Sequence, residues 1–230
     1  MRALLAAAVA LLALRRGSSL TAQPKTPILG FSTWNCFEGA INETELREVA
    51  VAMAASGLVA SGFTFLNIDD EWAEDQRNAA GEIVASRTKF PSGMPAFASY
   101  LKARGMRLGL YTARNYRTCS GRMPGSLGNE SIDAKTFAAM GAEFVKNDDC
   151  GVVYAHAAQD YGAMEKALAA VPGVRLIHSV KAPDLGAKDA PKVSQFRRVG
   201  KDLLGAAPTP ASKGCRLTPP RLCPQTLGKM

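Results

Sequence analysis

Short apolar runs that stop abruptly at polar or charged residues recur along this chain, and their spacing restricts the fold more than any other feature. Phe63-Thr-Phe-Leu-Asn-Ile ends in Asp69-Asp70, and Arg107-Leu-Gly-Leu-Tyr-Thr ends at Arg114-Asn115. Glu143-Phe-Val-Lys-Asn ends in Asp148-Asp149, and Val174-Arg-Leu-Ile-His-Ser ends near Lys181. A further strand-like piece, Ile28-Leu-Gly-Phe, stands before them. Helical stretches lie between. Asn42-x-x-Glu45 reads as a capping box opening a helix to Ala60. Pro95 to Arg104 stops at Gly105 and Asp133 to Met140 stops at Gly141, each glycine suited to the left-handed position past a helix end. Asp160 to Ala170 ends before Pro172. The strand–helix unit returns about every 30–45 residues without a close sequence repeat, the rhythm of a parallel sheet with covering helices.

A doubly wound sheet and a (β/α)8 barrel both satisfy that rhythm. No Gly-x-Gly-x-x-Gly follows the first strand, which weighs against a dinucleotide-binding sheet. Polar residues instead gather at the C-terminal ends of at least four successive strands. In a barrel these ends share one mouth, where active sites are built. The sequence therefore predicts an α/β, TIM-type barrel over residues 25–204, with about six βα units and so incomplete.

The two ends read differently. Arg2, the apolar run Ala3 to Leu14, and Arg15-Arg16 make residues 1–22 a secretory signal peptide; the run is too short for a membrane-spanning helix. The other reading of the run is a short buried helix. Two sequons, Asn42-Glu43-Thr44 and Asn129-Glu130-Ser131, become glycan sites if the chain enters the secretory pathway. Residues 205–230 hold five prolines and no hydrophobic period, and read as a disordered, basic tail. The formal net charge of +8 comes mostly from residues 192–230, with eight Lys/Arg and one acid; 20 basic and 19 acidic residues remain in the body. A broad basic face for nucleic acid is excluded by that division. Five cysteines are present, Cys36, Cys119, Cys150, Cys215 and Cys223, and sequence alone leaves open which two pair. No CxxC or His-rich spacing suggests a metal site.

Three acid groups stand at strand ends: Asp69-Asp70, Asp148-Asp149 and, after a possible sixth strand near Val193–Val199, Asp202. One buried carboxylate at such a place is usually a cap or loop residue; three at corresponding points indicate a site. Lys146 and Asp148 are two apart on a strand and project to the same face, where the lysine would keep a neighbouring carboxylate charged. One charged and one protonated carboxyl are the equipment of a glycosidase. Trp34, Trp72 and Tyr111, at or near strand ends, are candidates for stacking on sugar, with core packing the other reading of Trp72.

From Pro27 to Leu203 the chain resembles the melibiase family, the α-galactosidases and α-N-acetylgalactosaminidases of glycoside hydrolase family 27. The resemblance rests on Leu29-Gly-Phe-Ser-Thr-Trp-Asn, Leu66-Asn-Ile-Asp-Asp-Glu-Trp, Lys89-Phe-Pro-Ser-Gly-Met, Gly109-Leu-Tyr-Thr and Thr118-Cys-Ser. It continues through Met123-Pro-Gly-Ser-Leu-Gly, Asp133-Ala-Lys-Thr-Phe-Ala and Phe144-Val-Lys-Asn-Asp-Asp-Cys. It implies a retaining glycoside hydrolase that releases terminal α-linked galactose. Asp148 would be the nucleophile and Asp202, four residues after Arg198, the acid/base. Asp69 and Asp70 would hold the galactose 4- and 6-hydroxyls, with Trp34, Tyr111, Lys146 and Arg198 around the sugar. Cys119 and Cys150 would form a disulfide beside the site. No cofactor is implied, and the partner would be an α-galactoside in the secretory pathway, outside the cell or in a lysosome- or vacuole-like compartment, with no nucleic acid and no membrane after signal removal.

The departures are specific. A second family disulfide would join positions that here are Gly39 and Glu71, so both halves are gone together and Cys36 is expected outside any bond. Phe31 replaces the first Trp of the opening motif. Ser179-Val-Lys-Ala-Pro replaces the segment contacting the sugar 2-substituent, so galactose and N-acetylgalactosamine both stay open. The likeness stops after Leu203, so the chain is expected to be a C-terminally truncated member. A binding-only relative, or a secreted interaction protein with a basic tail, are the competing functional readings.

Overall fold

The computed structural model describes residues 28–150 and 156–179. Five strands alternate with helices: β1 (Gly30–Ser32), α1 (Trp34–Phe37), α2 (Glu43–Ala55), β2 (Phe65–Ile68), α3 (Met94–Lys102), β3 (Arg107–Ala113), α4 (Glu130–Ala139), β4 (Ala142–Asp148), α5 (Ala157–Ala169) and β5 (Arg175–Ser179). All pairings are parallel, and each strand lies beside its sequence neighbours in the order β1-β2-β3-β4-β5. A doubly wound sheet reverses its order at a switch point. This sheet does not reverse, and its winding is that of a (β/α) barrel. The expected sixth strand, the leader, the tail and residues Lys181, Arg198, Asp202, Cys215 and Cys223 lie outside the described residues.

Local chemistry explains most boundaries. Asn42 is extended, and its Oδ1 accepts the Glu45 N–H at 3.0 Å, satisfying an amide at the start of α2. Glu43 and Glu45 in the first turn complement the positive end of the helix. α2 stops at Ala55, short of the expected Ala60, because Ser56 caps it and Gly57 turns left-handed at φ +81°. Leu58 and Val59, whose apolarity suggested more helix, reach the core from a turn instead. α3 and α4 stop before Gly105 and Gly141 as the sequence predicts, but α4 begins three residues earlier than Asp133.

Alternation divides the strand side chains between two layers. Leu66, Ile68, Leu108, Leu110 and Val145 pack with helix residues including Leu46, Phe97 and Phe137. Phe65 and Phe144 turn to the other face, where they meet edge-on with centroids 6.0 Å apart, beside Ile28. Burying each such side chain contributes about 1.5–3 kcal/mol. Gly109 lies between the two: a Cβ there would be 2.6 Å from the Phe144 ring and 2.8 Å from Asn67 Oδ1. The missing side chain lets neighbouring inward residues close over β3. The long β2–α3 connection is tied down by Arg77, which makes a two-bond contact to Asp133 on α4 at 2.6 and 2.9 Å. Arg77 also donates to the carbonyls of Gly81 and Gly125.

Candidate active site

Parallel register brings the C-terminal ends of β2, β3 and β4 to one edge of the sheet. Tyr111 pairs with Lys146, and Ala113 with Asp148. Asp69 leaves β2 on the same side. The Lys146 ammonium donates to Asp69 Oδ2 at 2.8 Å and lies 3.7 Å from Asp148 Oδ2. It is also 4.9 Å from the centre of the Tyr111 ring, within reach of a cation–π attraction. The Tyr111 hydroxyl donates to Asp148 Oδ2 at 3.1 Å and touches Cys119 Sγ at 2.9 Å. Four of the residues singled out in the sequence therefore form one connected cluster.

The carboxylates are held from behind by main chain and small hydroxyls. Thr33 Oγ1 accepts the Asp69 N–H at 3.0 Å, and Ser32 donates to Asp69 Oδ2 at 3.3 Å. Asp70 accepts the amides of Glu71 and Ser120, both at 2.8 Å, so it links the end of β2 to the loop after β3. Asp148 Oδ1 accepts the Asp149 N–H at 2.8 Å. Cys119 and Cys150 are disulfide-bonded, with Cα atoms 5.1 Å apart, and clamp the loop after β3 to the end of β4. Asn115 adds a bond to the Cys150 carbonyl at 2.8 Å. Trp34, the first residue of α1, is partly exposed.

Burial sets the electrostatics. It pushes the Asp69 carboxyl above its ordinary range, and the Asp148 charge adds to this; the Lys146 charge and hydrogen bond oppose it without cancelling it. Burial, followed by the charges of Asp148, Asp70 and Asp69, pushes the Tyr111 phenol far up, so it stays protonated and acts as a donor. Among the described residues, Cys119, Asp148 and Cys150 group donor atoms within 4.8 Å, but both sulfurs are bonded to each other and offer no thiolate.

Of the two readings open for Trp72, the structure shows core packing. It is fully buried, its indole N–H donates to the Tyr111 carbonyl at 2.9 Å, and its ring meets Phe137 edge-on. It supports the floor under Tyr111 and presents no face to a sugar.

Residues 30–201 match the melibiase family model described as alpha galactosidase A, which is well over half of the chain. The chain belongs to the melibiase family. It is 44% identical over 144 residues to an alpha-galactosidase of Cyamopsis tetragonoloba, covering 63% of this chain and 35% of the relative. It is 43% identical over 143 residues to alpha-galactosidase 2 of Arabidopsis thaliana, covering 62% and 36%. The chain thus spans about a third of the length of these curated relatives. Alpha-galactosidase I of Mortierella vinacea superimposes with a TM-score of 0.74 at 29% identity, covering 80% of this chain and 48% of that one. The Saccharomyces cerevisiae enzyme solved with raffinose gives 0.71 at 28% identity, covering 76% and 39%.

This melibiase-family chain also carries a buried charged layer beside the cluster. Arg114, at the end of β3, is buried and donates to Asp149 at 2.8 Å and to Asp160 on α5 at 3.0 Å. Its ring contact is Tyr161, 5.1 Å away. Arg114 balances the second acid of the Asp148-Asp149 pair, so adjacent carboxylates can be buried together. The available signal was a charged residue directly after the buried run Leu108–Ala113.

Proposed function

We propose that this chain is a retaining α-galactosidase acting on terminal α-linked galactose. The observation that carries the reading is the junction of Asp69, Lys146 and Asp148 through a single ammonium, at 2.8 and 3.7 Å, at the strand ends of a melibiase-family sheet. In this reading Asp148 attacks the anomeric carbon as the glycosidic C–O bond breaks, and Asp202 gives its proton to the leaving oxygen. Asp202, now a carboxylate, takes a proton from water, whose oxygen attacks the same carbon and releases Asp148. Asp69 and Asp70 accept from sugar hydroxyls, Trp34 supplies an aromatic face, and Arg198 completes the acid/base side. Lys146 and the Tyr111 hydroxyl hold Asp148 in position. The leader-like first 22 residues and the Cys119–Cys150 bond support a route through the oxidising secretory pathway.

The test is hydrolysis of p-nitrophenyl α-D-galactoside by the full chain, with the anomer of the first product read by NMR. Release of α-galactose, lost in Asp148→Asn and in Asp202→Asn, is expected. Galactose binding by calorimetry without turnover would make the chain a binding protein, and the absence of both would overturn the proposal.

A further inference from the structure

The turn that follows Asp69-Asp70 is built in a conformation that its residue does not favour. Glu71 has φ +68°, in the left-handed region where a side chain is strained. Besides the Arg122 guanidinium, 3.7 Å from its carboxylate, three contacts surround it. Its N–H donates to Asp70 Oδ1 at 2.8 Å. Its carboxylate occupies the space that a Cβ on Gly39 would take, so a glycine at 39 is what admits it. Its carbonyl accepts from the Lys89 ammonium at 2.7 Å, and the same ammonium donates to the Gly39 carbonyl at 2.8 Å. Lys89 thus ties the end of β2 to the segment after α1. These are the two positions that both lack cysteine.

Lys89 is anchored from its own side. Its carbonyl accepts the Glu43 N–H at 2.7 Å, at the start of α2, and Glu43 in turn takes the Ser92 hydroxyl and amide. The ammonium is half-buried between carbonyl groups, with the Glu71 carboxylate and Asp70 as its nearby charges and Arg122 opposing them. A side chain held at both ends against a strained peptide fixes that peptide. The Glu71–Trp72 peptide it fixes shares the strained Glu71 Cα with the Asp70–Glu71 peptide, whose N–H donates to Asp70 Oδ1.

We propose that Lys89 is the positioning residue for the Asp69-Asp70 hydroxyl clamp, and so for selection of the galactose configuration. Lys89 touches no reacting atom in this account; it acts through Glu71. The inference rests on the proposed function for its sugar, but the brace itself can be read without activity.

The experiment compares the full chain with Lys89→Met, which keeps the stem and removes the donor, and with Lys89→Gln, which keeps one donor and serves if the first variant does not fold. Amide hydrogen exchange and calorimetry with D-galactose and D-glucose, its 4-epimer, are the readouts. Exchange at Asp70 and Glu71 should rise about tenfold in Lys89→Met while β3 and β4 keep their protection. Selectivity for galactose over glucose should fall about tenfold, the effect of losing one charge-assisted hydrogen bond, with Lys89→Gln between the two. Equal acceleration across the whole sheet, or no acceleration at Asp70 and Glu71, would overturn the brace. Local acceleration with unchanged selectivity would overturn the positioning role alone. A wild-type chain that binds neither sugar would remove the proposed function and the sugar-selecting role with it, while the exchange data would still decide the brace.

Discussion

Replacing Lys146 by methionine keeps the aliphatic stem and removes an ammonium that lies 2.8 Å from Asp69 and 3.7 Å from Asp148. At an effective dielectric of about 20, Coulomb's law gives about 6 kcal/mol for the first contact and about 4.5 kcal/mol for the second. Desolvation of the ions opposes both, and the net loss expected for a buried pair deprived of one partner is about 3–5 kcal/mol. In a chain of this size each kcal/mol moves Tm by about 2–4 °C, so the midpoint should fall by about 6–20 °C. The loss should depend on pH in a defined direction. Burial already raises the Asp69 carboxyl, and removing Lys146 takes away what opposes it. The folded variant then holds a proton that the unfolded chain has released, so its stability falls as pH rises between the unfolded and folded values. The gap to wild type should be widest near about pH 7 and narrower near about pH 4, where Asp69 is neutralised by protonation. Guanidinium unfolding followed by tryptophan fluorescence at both pH values measures it. A neutral-pH gap under about 1 kcal/mol, or one that widens in acid, would show that Lys146 does not hold the buried carboxylates.

Three further outcomes are expected. Arg77→Met leaves the fully buried Asp133 carboxylate without its two-bond partner and should cost about 3–5 kcal/mol in chemical denaturation; a loss under about 1 kcal/mol would contradict the assigned role. Replacing both Cys119 and Cys150 by serine opens a loop with a sequence separation of 31 and should cost about 3–4 kcal/mol in the chain-entropy model, measured as a shift in denaturation midpoint at constant slope. Because the Asp69 carboxyl is raised, galactose affinity should be present at neutral pH and fall on acidification at a higher pH than an ordinary carboxylate would dictate; Asp69→Asn should bind weakly with that acid limb removed. Calorimetric titration over a pH series checks the last of these.

The strands were readable because each is a nearly unbroken apolar run closed by a polar residue, and all five lie within two residues of the expected bounds at either end. β1 is shifted towards Ser32 because its register is set by Phe65 and Asn67 on β2, which no local pattern reports. The α2 boundary was missed because Leu58 and Val59 are apolar for the sake of the core rather than of a helix. In the site, Asp69, Lys146 and Asp148 were legible from period-two geometry and strand ends. Arg114 was not, since its partners Asp149 and Asp160 are 35 and 46 residues away. Lys89 was noticed only as part of a motif. Its acceptors are main-chain carbonyls, which carry no residue identity, so nothing at positions 39 or 71 marks them as its partners.

The central claim is that Asp148 is a nucleophile toward an α-galactoside, and trapping the covalent intermediate tests it most directly. The full chain would be treated with 5-fluoro-α-D-galactosyl fluoride and followed by intact-protein and peptide mass spectrometry. One glycosyl label per chain is expected, carried by the peptide containing Asp148 and absent in Asp148→Asn. No label on wild type, or a label on a peptide without Asp148, would contradict it.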